Sequence, residues 1–182
     1  MTTVEIIAQI IGIGAMAMNC FSFQQKERKT VLAFQLVGTS LFAINFFMLG
    51  AISGAILNLL GAIRSVVFMY REKFNANHPL WLAGFIATYI LSYVAVFTVF
   101  EKEPTALNLI LEILPVIGMV LTTLSFRYKD AKTIRRFGFI NAPLWLTYNI
   151  YSKSIGAIIC ESLNIISIII GTLRHDVKRK NK

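Results

Sequence analysis

The sequence predicts an all-α membrane protein: seven transmembrane helices, arranged as two parallel three-helix repeats joined by a linker helix, N-terminus outside and C-terminus in the cytoplasm. Three observations carry that prediction. Apolar residues make up 56% of the 182-residue chain and charged residues only 15%, more apolar surface than a soluble domain of this length can cover. Those residues fall in runs close to the ~20 that cross a bilayer. Finally, Ser22-Phe23-Gln24-Gln25-Lys26-Glu27-Arg28-Lys29-Thr30 recurs as Ser125-Phe126-Arg127-Tyr128-Lys129-Asp130-Ala131-Lys132-Thr133, identical at five of nine positions at an offset of 103. Gly54-Ala55-Ile56 is echoed by Gly156-Ala157-Ile158 at an offset of 102. Two ordered matches at nearly one offset mark a duplicated unit.

Taken in order, the first run covers about residues 4–23. The start from Met1 to Glu5 lacks the basic n-region of a cleaved signal peptide, so this run is expected to be a retained span. Runs at 31–49 and 51–70 meet at a tight tip, Leu49-Gly50-Ala51. The fourth, 80–100, ends in the polar turn from Glu101 to Thr105, which holds Pro104. Runs five to seven cover 106–126, 136–152 and 155–173, the last two joined at Ser152-Lys153-Ser154. The sixth is short and contains Pro143, which neighbouring helices accommodate. The expected units are therefore 1–75, a linker span at 76–104, 105–175, and a basic tail at 176–182.

The net charge of +9 is distributed by side. Fifteen Lys and Arg residues fall on one alternating face and two, Lys102 and Lys153, on the other, with Arg64 left inside a span. The positive-inside rule orients the chain from that asymmetry. Because span four carries the chain back across the bilayer, both three-helix units run in the same direction, an arrangement known in transporters that bind substrate between repeats. The same distribution argues against nucleic acid, since no basic face with stacking aromatics supports it. Cys20 and Cys160 lie inside apolar runs and read as packing residues. His78 and His175 stand beside no cysteine pair, so no metal site or cofactor is expected. No phosphate loop or Gly-x-Ser-x-Gly motif suggests an enzyme, and span seven has no lysine for a retinal Schiff base.

Polar residues within the spans are the functional candidates. At ~1.5 Å of rise per residue, Asn58 and Glu161 each lie about 10 Å below the outer face. Glu112, Trp145, Gln9 and Phe42 fall at a similar level, giving three repeat-related pairs: Gln9 with Glu112, Phe42 with Trp145, and Asn58 with Glu161. Asn164 shares a helix face with Glu161. Bland readings stand beside each. Asn58 fits an interhelical hydrogen bond, Trp145 a lipid-facing ring, and Glu112 an interfacial carboxylate. Arg64 reads either as a snorkelling side chain or as a counter-ion or inner gate. Asn45 and Asn149 near the outer tips read as hairpin caps.

The three-plus-one-plus-three plan, the N-out topology and the Lys-x-x-Lys-Thr end of the first hairpin resemble the SWEET and PQ-loop group of small-solute transporters. In length and detail the chain is most similar to YgjV-type bacterial inner-membrane proteins. That resemblance implies a Trp on each unit's second helix and an Asn on its third facing the solute. Phe42 and Asn58 are sixteen residues apart, as are Trp145 and Glu161. It therefore places the pocket at the polar layer. The chain departs from the group in having Gln24-Gln25 and Arg127-Tyr128 where a Pro-Gln pair is expected, and Glu161 in place of one Asn. The expected function is movement of a small polar solute, a sugar or other metabolite, alone or with protons, across the bacterial inner membrane. The competing expectation is a sensor or assembly protein that keeps the fold without the pathway. Membrane lipids are the other expected partners, and an oligomer is compatible with the sequence.

Overall fold

The computed structural model describes residues 3–48, 52–151 and 155–177, and leaves aside the side chains of helical residues 52–54, 149, 151 and 155–157. The expected tips at Leu49-Gly50-Ala51 and Ser152-Lys153-Ser154, the tail from Lys178 and the Asn149 side chain lie outside the described residues. The described residues form α1 (Thr3–Phe23), α2 (Arg28–Met48), α3 (Ile52–Met69), α4 (Pro79–Thr98), α5 (Ala106–Arg127), α6 (Ala131–Tyr151) and α7 (Ile155–His175).

Local chemistry sets the boundaries. Pro79 opens α4 behind His78, whose ring accepts from the Leu80 N–H at 3.3 Å. Thr105 caps α5 by accepting from the Asn108 N–H at 3.2 Å. The largest shift from expectation is at α6, which begins at Ala131 rather than near residue 136. Asp130 explains it: its carboxylate accepts the Thr133 N–H at 2.7 Å and the Thr133 hydroxyl at 3.0 Å. An N-cap starts a helix whatever the hydropathy of the turn that follows, and that turn carries Lys132, Arg135 and Arg136.

Among the described residues, α1, α2, α4, α5 and α7 are long and apolar enough to cross a membrane. The described apolar stretch of α3 is the shorter Ala55–Met69. Ile10, Ile13, Phe47, Leu91, Leu107, Ile140 and Ile166 point outward, as lipid-facing positions do.

α1 packs extensively on α2 and α2 on α3; α5 packs on α6 and α6 on α7. α4 leans chiefly on α5 and touches α3. The two triplets meet along two seams, α1 against α7 and α3 against α5, with a slight contact of α2 and α6 between them. The main apolar cluster joins the start of α2 (Val31, Leu32), the end of α3 (Val67, Phe68), α4 (Phe85, Tyr89), the end of α5 (Phe126) and the start of α6 (Ala131, Ile134). Phe68 meets the Phe126 ring edge-on at 6.1 Å and Phe85 at 6.2 Å. In a bilayer such contacts stabilise through packing, since lipid is as apolar as the side chains themselves. The bundle is thus tied together at its basic end.

The two copies of the recurring motif fold alike. Ser22 and Ser125 are both buried, and each hydroxyl donates back to a carbonyl three residues earlier, Asn19 at 2.6 Å and Thr122 at 2.7 Å. The chain then turns identically, with Gln25 N–H bonding Ser22 at 3.1 Å and Tyr128 N–H bonding Ser125 at 3.2 Å.

Candidate functional site

A helix C-terminus leaves carbonyls without intrahelical partners, and at the basic end two arginines of the middle helices meet them. Arg28 of α2 donates through Nη2 to the carbonyls of Phe68, at the end of α3, at 3.0 Å, and of Phe126, at the end of α5. Arg135 of α6 donates through Nη1 to the carbonyls of Phe23, at the end of α1, at 3.4 Å, and of Gln25 at 2.7 Å. Phe23 and Phe126 are the matching phenylalanines of the two motif copies. Each triplet's middle helix therefore caps the first helix of the other. The two caps then diverge. Arg135 also grips Asp176, just past α7, through Nε at 2.9 Å and Nη2 at 2.5 Å. Among the described residues Arg28 has no carboxylate, and its Nε is buried with no partner.

Deeper in the α3–α5 seam lies Arg64, only 4% exposed. Its Nη1 reaches the Tyr89 hydroxyl at 3.2 Å, the Met119 carbonyl at 3.3 Å and the Thr123 hydroxyl at 3.5 Å. The guanidinium carbon stands 5.0 Å from the centre of the Phe126 ring, a favourable cation–π geometry. Tyr89 and Thr123 also bond each other at 3.1 Å. Every one of these partners is neutral, and the Arg64 Nε is buried with none. Arg64 thus points into the bundle, and among the described residues neither Glu112 nor Glu161 pairs with it. This seam therefore holds a buried guanidinium that no carboxylate among the described residues pairs with.

The remaining candidates divide between two places. Glu161, partly buried on α7, takes a hydrogen bond from Asn164 three residues on. Asn164 also accepts the Cys20 thiol from α1 at 3.3 Å. One turn below, the Gln24 carboxamide donates to Ser167 at its carbonyl (2.6 Å) and hydroxyl (2.9 Å), and the Ser167 hydroxyl donates to the Cys20 carbonyl at 2.5 Å. Glu161 and Asn164 therefore belong to the polar α1–α7 seam. Glu112 is buried on α5, in an ion pair with Lys102 and accepting from the Tyr148 hydroxyl at 3.3 Å. Trp145 packs over Gly118, where an added Cβ would stand 2.6 Å from its Nε1. Phe42 stacks on Phe46 at 6.0 Å, Asn58 is half-buried on α3, and Gln9 is exposed on α1. Two clefts among the described residues lie elsewhere. One of about 220 Å³ lies between α3 and α4 beside Ile56 and Leu91; the other, about 610 Å³, opens beside Arg28 at the basic end.

Tyr89, Thr123 and Met119 escaped sequence reasoning because nothing in an apolar run marks which face meets a neighbour. Asp176 was assigned to the tail, although a lone acid directly after span seven in a basic stretch was a usable signal.

A family model described as a bacterial inner membrane protein, Imp-YgjV, matches residues 6–179. No curated protein and no solved structure matches the chain.

Proposed function

The chain belongs to the Imp-YgjV family of bacterial inner membrane proteins, and from that premise we propose that it is a carrier for a small polar solute bearing an anionic group. The two three-helix units would run parallel, N-terminus outside, and would expose a site between them alternately to each side. The single observation that carries the reading is Arg64, a buried cation at a seam between the units whose partners are all neutral. Holding such a charge away from water is costly unless it is paired, and a solute's carboxylate or phosphate would supply the pair during transit.

The reciprocal capping by Arg28 and Arg135 supports the parallel repeat, because each triplet does for the other what it receives. The α3–α5 seam is stitched by hydrogen bonds, which within membranes are worth only ~0.6 kcal/mol on average, weak enough to exchange during rocking. Glu161, with Asn164 and Cys20 at the opposite seam, is the carboxylate suited to carry a coupled proton. The resemblance to the SWEET and PQ-loop group agrees with this plan.

A second reading, a non-transporting sensor or assembly protein, is favoured by two observations at the level of the expected pocket. Trp145 is packed against Gly118, and Glu112 is neutralised by Lys102. Uptake into proteoliposomes decides between them. The carrier accumulates a small organic anion but not neutral sugars or cations, and Arg64→Gln lowers that uptake at least tenfold while the protein stays folded. Uptake of no class supports the second reading, and uptake unchanged in Arg64→Gln overturns the role given to Arg64.

A further inference from the structure

The geometry points to a binding site for a phosphate group in the cleft at the basic end of the α3–α5 seam, supplied either by an anionic lipid headgroup or by a free phosphorylated solute. The cleft has a volume of about 610 Å³ and is lined by Arg28 and Lys29 from α2, Met69 to Lys73 at the end of α3, and Lys129 from the α5–α6 turn. That volume falls within the ~300–1,000 Å³ usual for small-molecule sites. Five of the lining residues are cations, and among the described residues none has a carboxylate partner. Glu72, the one acid there, is exposed and paired with none of them. Basic loops are ordinary on the cytoplasmic side of a membrane protein, but a concave cluster drawn from both triplets is a more specific feature.

The capping arginine of the other triplet shows what is missing. In the second triplet Arg135 is held by the carbonyls of Phe23 and Gln25 and by the carboxylate of Asp176. In the first triplet Arg28 donates to the carbonyls of Phe68 and Phe126, but its Nε is buried without an acceptor. Where one half of the molecule supplies an anion to its capping arginine, the other supplies further cations, Lys73 among them, and an open cleft. A planar guanidinium with two lysines from separate elements suits a phosphate, which accepts several charge-assisted hydrogen bonds at once. Bound there, it would tie α2 and α3 to the α5–α6 turn through Lys129, as Asp176 ties α7 to α6.

The test uses the full-length protein in a neutral detergent at constant ionic strength, with melting temperature as the readout, since a ligand of the folded state raises it by mass action. The probes are inorganic pyrophosphate and, separately, mixed micelles of phosphatidylglycerol with phosphatidylcholine alone as control. The variant is Lys73→Gln with Lys129→Gln; both positions are exposed and stand outside the hydrophobic core. A shift with phosphatidylglycerol that needs at least tenfold more lipid in the variant supports the site and assigns it to a lipid headgroup. The same pattern with pyrophosphate supports it and assigns a free phosphorylated solute. A shift of equal size in the variant, or no shift with either probe, overturns the site.

Discussion

Arg135 and Arg64 are buried to nearly the same degree, 2% and 4% exposed, yet their charges are met differently. Arg135 stands where α6 meets the ends of α1 and α7, with the carboxylate of Asp176 doubly bonded to it. Arg64 stands where α3 meets α4 and α5, with two hydroxyls, a carbonyl and an aromatic face. The first seam is further closed by the bonds of Gln24 to Ser167 and of His175 to the Gln24 carbonyl at 2.7 Å. The difference separates two uses of a buried cation. One fastens helices with the chain's own counter-charge, and the other is met, among the described residues, by neutral groups alone.

The largest effect should follow from opening the closed seam. Asp176→Asn leaves Arg135 buried beside a neutral amide, and breaking a buried pair in this way costs about 3–5 kcal/mol. Unfolding in detergent should register that loss; a change under about 1 kcal/mol would mean that the carbonyls of Phe23 and Gln25 suffice, as surface-type ion pairs contribute little. Gly171→Ala strikes the same seam sterically, because its Cβ would collide with the Phe23 carbonyl oxygen and come within 3.2 Å of the Arg135 Cδ. A loss of about 1–3 kcal/mol is expected for such overpacking, and unchanged stability would show that α1 and α7 separate more easily than their contacts imply. At the other seam the sign should turn. Arg64→Met strands no carboxylate, Tyr89 and Thr123 keep each other, and a buried charge disappears, so stability should fall by less than about 1 kcal/mol or rise. A loss like that of Asp176→Asn would make the two arginines alike and remove the distinction.

Seven helices were legible in the sequence as apolar runs, and five of them, α1, α2, α4, α5 and α7, have among the described residues the length and apolarity that bilayer thickness demands. The duplicated motif also led to matching local structure at Ser22 and Ser125. Pairing was much less legible. Asn164 beside Glu161 followed from helix periodicity, whereas the partners of Arg64 lie 25 to 59 residues away on helices that are apolar on every face. A helix without a polar stripe does not announce its rotation. Arg135 was counted among loop charges that orient the chain, and only the folded structure brings Asp176 back to it across 41 residues. Glu112 stood out in the sequence as a carboxylate within an apolar run, but its partner Lys102 was expected only as an outer-loop charge.

The most direct test of the open seam is the melting temperature of the purified protein against small carboxylates, neutral sugars and small cations, compared between the parent and Arg64→Met. An anionic class should stabilise the parent, and the stabilisation should be lost in Arg64→Met while it persists in Lys73→Gln/Lys129→Gln, which leaves the buried cation in place. If no anion shifts the parent, or the shift survives in Arg64→Met, the charge at Arg64 is structural after all.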